Sequence, residues 1–162
     1  MDATLIFPHQ LFHNSPALKK DRKVFILRDP LFFNDNKYPV KFHKNKILLH
    51  LLSTANYKEE LSLRGYDVAL LSDKVLKKDN PYESFIMDND ISEIHYCDPV
   101  DYTITKRLDR VVKKLKLKSY KYDTPSFMLS NEIVKDEFSD KKSHFMAAFY
   151  KRQRKRFNIL LN

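Results

Sequence analysis

The chain has 162 residues, 43% of them hydrophobic, a net charge of +9 and a single cysteine. That length buries the core of one ordinary domain, the composition is too apolar for a disordered chain, and no apolar run approaches the ~18 residues of a membrane helix. One cysteine, Cys97, excludes an internal disulfide and a cluster held by this chain's own thiolates, and fits a reducing, intracellular, cytoplasmic setting.

The first ten residues, MDATLIFPHQ, start acidic and run straight into an apolar stretch, which does not read as a signal peptide. Thr4–Phe7 is a short apolar run stopped by Pro8 and is predicted to be strand one. Lys23–Leu27 (KVFIL) is strand two, ending at Arg28–Asp29–Pro30. The connection between them, His9 to Arg22, follows Pro8 directly and carries Asn14 and Pro16, so a full helix is not expected there. From Val40 to Leu63 apolar residues recur at Ile47, Leu48, Leu51, Leu52, Ala55 and Leu61, the spacing of one helix face. The chain's single glycine, Gly65, closes that helix as a C-terminal cap. With no other glycine to let backbone approach phosphate, a P-loop or a glycine-rich dinucleotide turn is not expected.

Tyr66–Leu71 is strand three. Pro81 at a first-turn position and Ser84–Asn89 predict another helix. Ile91–Cys97 is strand four, Tyr102–Leu115 a helix with Leu108, Val111, Val112 and Leu115 on one face, and Ser119–Tyr122 strand five. Phe127–Leu129 is a short extra segment, then Asn131–Phe138 and Lys142–Phe157 read as two further helices. Strands alternating with helices imply right-handed crossovers. The expected fold is α/β, a Rossmann-like or flavodoxin-like five-stranded parallel sheet flanked by helices, with a basic C-terminal helix. Residues 1–130 form the α/β domain and residues 131–162 a helical exit segment.

In such sheets ligands sit beyond the carboxyl ends of the strands, at the switch in strand order. Those ends are PHQL (8–11), RDPLFF (28–33), SDK (72–74), CDPVDY (97–102) and DTPSF (123–127). Three of them set an Asp beside or near a Pro, which serves turn formation as readily as a pocket. His9 and Gln10 follow strand one directly and suit the polar edge of a heterocycle. Six histidines (His9, His13, His43, His50, His95, His144) lack metal-ligand spacing, apart from His9 and His13 in a proline-flanked loop. There is no G-x-S-x-G elbow, and Glu59–Glu60 reads as a solvated helix face. In KFHKNK (41–46) cations oppose the helix dipole, and an acidic partner such as Asp29 is expected for Lys44 or Lys46.

Charge is concentrated at the end. Lys141, Lys142, Lys151, Arg152, Arg154, Lys155 and Arg156 supply +7 of the +9, which leaves +2 elsewhere. As a nucleic-acid arm, Lys151, Arg152, Arg154, Lys155 and Arg156 would bind phosphates in a salt-dependent, sequence-independent way. As the opening of a further domain, the same helix would bring Phe145, Phe149, Phe157, Ile159 and Leu160 in search of a partner.

Several stretches in order resemble one family. LIFPHQLF, VFILRDPLFF, KFHKNKILLH and YKEELSLRGYDV resemble the N-terminal part of prokaryotic photolyase-related proteins, the iron–sulfur (6-4) photolyases and cryptochromes. ISEIHYCDPVDYTITKRL resembles the family's fourth strand and following helix, and TPSFMLSNE with FMAAFYKRQRKRFNILL its exit from the first domain. The resemblance spans essentially the whole chain. It implies the family's N-terminal α/β domain, which can hold an antenna chromophore, 6,7-dimethyl-8-ribityllumazine, at the strand ends. Carried over by position, the chromophore-binding residues are His9, Gln10, Asp29, Leu31, Phe32, His43, Lys46 and His50. His9 stands where many members have Asp, and His50 where others place an aliphatic side chain. FAD and a [4Fe-4S] cluster belong to the family's helical domain and are not expected on this chain. The chain is then a fragment or one piece of a split gene, inactive in photorepair alone, with a separate flavin-domain chain and DNA as partners and no membrane. The alternative is a small basic nucleic-acid-binding module.

Overall fold

The computed structural model describes residues 1–76, 82–139 and 145–161. The expected first-turn Pro81 and the residues Lys141, Lys142 and His144 lie outside them. Two compact units are present, Met1–Ser126 and Phe127–Asn162.

The first unit is built on five parallel strands: β1 (Asp2–Ile6), β2 (Lys23–Leu27), β3 (Val68–Leu71), β4 (Glu93–Cys97) and β5 (Lys118–Tyr122), in the order β3-β2-β1-β4-β5. The helices of this unit are α1 (Lys44–Leu63), α2 (Glu83–Asp88) and α3 (Tyr102–Leu115). The expected α/β fold is therefore the observed one. Strand two has the expected bounds, and those of the other strands shift by one or two residues from the sequence reading. Strand three starts at Val68 because Tyr66 and Asp67 complete the turn out of α1, and strand four at Glu93 because Ile91 caps the end of α2 through Ile86.

Strand alternation sorts the side chains onto two faces. On one, Leu5, Phe7, Phe25, Leu27, Ile94 and Tyr96 pack with Phe85 and Ile86 of α2 and with Ile104, Leu108 and Val111 of α3. On the other, Ile6, Val24 and Ile26 meet Tyr57 and Leu61 of α1. The second face is completed by the 7–22 connection, which is made of turns, as its prolines require. Thr4 Oγ1 and Arg22 Nη1 both donate to the buried Ala17 carbonyl at 2.8 and 3.0 Å, and Tyr57 Oη donates to Phe12 O at 2.7 Å. Those bonds let a helix-free loop cover a sheet.

Helix α1 starts at Lys44 rather than Val40, with His43 Nδ1 accepting from the Asn45 N–H at 3.2 Å. It ends in a Schellman turn: Tyr66 N–H reaches Leu61 O, Gly65 N–H reaches Ser62 O, and Gly65 takes φ +79°. That left-handed conformation is the reason for the one glycine. The buried face of α1 differs from the expected one. Thr54, Tyr57 and Leu61 are buried, whereas Leu48, Leu52 and Ala55 point outward. Leucine was available on both sides of the helix, so hydrophobicity alone did not select the face.

In the second unit, α4 (Asn131–Phe138) is capped by Ser130 Oγ and α5 (Met146–Phe157) follows. Phe138 and Phe149 pack with ring centroids 5.3 Å apart. Residues 127–129, expected as a short extra segment, form a bend without regular secondary structure.

Candidate functional site: the crevice at the carboxyl ends of β1, β2 and β4

Strand β1 lies between β2 and β4, so successive crossovers leave it in opposite directions and open a crevice past its end. His9 and Gln10 lie there. His9 Nε2 is 2.8 Å from Pro99 O, and Gln10 Nε2 donates to Asp98 O at 2.7 Å. Both bonds tie the β1 loop to the loop after β4. Gln10 is only 4% exposed, and its Oε1 has no hydrogen-bond partner among the described residues. An orphaned buried acceptor is uncommon and costs about 1–3 kcal/mol.

The loop after β2 supplies the aromatic wall. Asp29 caps a short 3-10 turn over Pro30–Phe32 by accepting from the Leu31 N–H at 2.8 Å. That turn presents Phe32 to His9, whose rings stack 5.0 Å apart at 26°. His50 of α1 meets Phe32 edge-on at 5.4 Å and Phe33 at 6.1 Å. Arg28 fixes α1 for this contact, its Nε donating to Thr54 Oγ1 at 2.9 Å and its Nη2 to Leu51 O at 2.8 Å. Burial first, then Lys46 and His9, hold His50 below its ordinary value. The imidazole is therefore neutral at pH 7 and offers one donor and one acceptor.

Asp29 does a different job from the one expected. It is fully buried, and Arg107 of α3 donates to its Oδ1 at 2.8 Å while Tyr82 Oη donates to Oδ2. With the Leu31 N–H also bound, the carboxylate is fully engaged inside the protein. Burial pushes its carboxyl up, against the pull of Tyr82 and Arg107. Arg107 bridges onward to Asp35, which also accepts from the Lys37 and Tyr38 N–H groups at 2.9 and 3.0 Å. Burial raises Asp35 too, but Arg107 and those amides bring it below its ordinary value. The acidic partner expected for Lys44 or Lys46 is thus claimed by Arg107, and the Lys46 ammonium sits 4.1 Å from the Phe42 ring centroid instead.

The structure therefore brings His9, Gln10, Phe32 and His50 together, with Leu31 half-buried against the core beside them. Asp29 lies beneath as support, and His43 is committed to the α1 cap. Arg107, Tyr82, Asp35 and Phe33 belong to the same assembly and carry no sequence signal of their own. Of the other histidines, His13 meets Glu60 at 3.0 Å, and His95 is a satisfied core residue between Glu93 and the Tyr122 hydroxyl.

The terminal cations divide. Arg152 and Arg156 both reach Glu137, on the other helix of the second unit. Arg154 donates to Ile159 O at 3.2 Å and lies 5.9 Å from the Tyr150 ring centroid. Lys151 and Lys155 are exposed, one turn apart.

These features define an open parallel α/β domain with an aromatic, polar-edged crevice at its topological switch. The family model for deoxyribodipyrimidine photo-lyase-related protein matches residues 4–162, and the chain belongs to that family. It is also similar to Uncharacterized protein R852 of Acanthamoeba polyphaga mimivirus, at 30% identity over 165 residues that cover 98% of this chain and 84% of that protein.

Proposed function

We propose that this photolyase-related chain is an antenna-type domain that holds a flat, polar-edged chromophore of the 6,7-dimethyl-8-ribityllumazine kind in the β1/β2/β4 crevice. The observation that carries the reading is the His9–Phe32–His50 aromatic cluster at the sheet's switch point. The fit of the residues to such a ring is chemical. Phe32 and His9 offer stacking faces, neutral His50 an edge group, and the unpaired Gln10 Oε1 an acceptor for a ring N–H or ribityl hydroxyl. Asp29, Arg107 and Asp35 act one layer below, holding the Pro30–Phe32 turn in place. When bound, the chromophore would supply light absorption. Photorepair of DNA would need a flavin, supplied in this reading by a companion chain.

The test is titration of the purified chain with the lumazine, read by fluorescence polarisation. Saturable binding is expected, and Phe32→Ala should weaken it about 10- to 100-fold, the loss of one buried aromatic contact. Absence of binding at saturating ligand would overturn the reading.

A second reading, non-specific nucleic-acid binding by α5, is favoured by the exposed pair Lys151 and Lys155. In this reading the double variant Lys151→Ala/Lys155→Ala is expected to reduce the salt slope of DNA binding by about two. Arg152→Ala should lower the stability of the α4–α5 pair and leave that slope nearly unchanged, because its guanidinium is engaged by Glu137. Equal slopes for wild type and the double lysine variant would dismiss it.

A further inference from the structure

Helix α1 has apolar residues on two opposite sides. Thr54, Tyr57 and Leu61 face the sheet. Leu48, Leu52, Ala55 and Glu59 run down the other side at spacings of three and four, flanked by Leu49 and Asn56. Leu48, Leu49 and Leu52 are 52%, 64% and 61% exposed, and with Ala55 they make one continuous apolar strip that turns polar at Asn56 and Glu59. A helix with apolar residues on both sides is ordinarily covered on both, and a contiguous exposed apolar patch marks association.

We propose that this stripe joins two copies of the chain, their α1 helices packed antiparallel about a twofold axis at Leu52. The register follows from the residues. Centring the pair on Leu52 sets Leu48 against Ala55 of the second copy and Leu49 against Asn56 of the second copy. Each leucine then meets a smaller side chain, which allows the ~8–10 Å approach of packed helices. Asn56 lies to one side of the stripe, where its amide keeps contact with water. The same register brings Lys44, at the start of α1, beside Glu59 of the second copy, near its end. Twofold symmetry makes that pair twice. Lys44 and Glu59 are both exposed and neither has an ion-pair partner among the described residues. A parallel arrangement would instead oppose Lys44 to Lys44 and Glu59 to Glu59. The antiparallel one also places a carboxylate near each α1 N-terminus, where Lys44 and Lys46 oppose the dipole and the first turn holds no acid.

His50 sits on the opposite side of α1 from Leu52, so pairing leaves the crevice open. One helix against one helix is a small contact beside the ~800 Å² per partner of a standard interface. Association in the micromolar range is therefore expected, with folding of each copy independent of it.

Sedimentation velocity of the full chain from about 1 to 200 µM tests the proposal. A concentration-dependent monomer–dimer equilibrium is expected, weakened at least 10-fold by Leu52→Glu. That variant changes an exposed position, and circular dichroism serves as the folding control. Glu59→Lys should weaken the dimer, and adding Lys44→Glu should restore it, a rescue specific to the antiparallel register. A Leu52→Cys chain should be captured as a dimer by a short thiol cross-linker while a Leu63→Cys chain is not, since Leu63 ends the helix far from the axis. A monomer throughout the range overturns the proposal, as does a dimer indifferent to Leu52→Glu. Loss of anionic-vesicle binding in Leu52→Glu without any dimer would assign the stripe to a membrane surface and overturn it equally.

Discussion

Arg107→Met is expected to cost about 3–5 kcal/mol of folding stability, measured by urea unfolding at neutral pH. Arg107 stands between Asp29, fully buried, and Asp35, 4% exposed. Removing one partner of a buried ion pair leaves the other as an uncompensated charge, which is far more costly than never having built the pair. Here one cation serves two carboxylates, so the loss falls at the upper end of single-site effects. The pH dependence has a definite sign. In the native chain Asp35 is held below its ordinary value of 3.8, so its contribution is present above about pH 4 and is lost as the pH falls through the lowered value. In the variant both carboxyls lose the guanidinium and shift upward. Their folded-state deficit is then largest at neutral pH and shrinks as the pH falls toward about 4. Arg107→Lys keeps a charge but loses the fork that reaches both acids, and intermediate stability is expected. A cost below about 1 kcal/mol for Arg107→Met would mean that water or rearrangement satisfies the two acids.

The triad also shows where sequence reading stops. The strands were legible because their apolar runs end at Pro, Asp or the turn at Gly65, and parallel pairing follows from the helices between them. The candidate crevice was legible for the same reason, since the ends of parallel strands are set by topology rather than by any motif. What Asp29 does there was not. Its partner lies 78 residues away on α3, and Asp35 lies 72 residues from the same arginine. A carboxylate at a strand end reads the same whether it waits for a ligand or for an arginine from across the sheet. The basic cluster is a second case. Five cations in six residues looked like one electrostatic unit, yet a single acid, Glu137, takes two of them.

Helix α1 turns the same lesson into a measurement. Leu61 and Leu48 are chemically identical, lie on one helix, and fit the same apolar periodicity. Leu61 is 0% exposed among Ile6, Val24, Ile26 and Tyr57, whereas Leu48 is 52% exposed. Leu61→Ala is expected to cost about 2–5 kcal/mol, combining lost transfer energy with the cavity left behind. Leu48→Ala should stay within about 0.5 kcal/mol when unfolding is followed at protein concentrations low enough to keep the chain monomeric. Raising the concentration should change only the second result. If copies pair through this face, the native chain gains stability by mass action as concentration rises and the Leu48→Ala chain gains less. Leu61→Ala should show its cost at every concentration, because the contacts it breaks lie within one chain. Comparable costs for both substitutions in dilute solution would place Leu48 under cover from its own chain and remove the basis for pairing through α1.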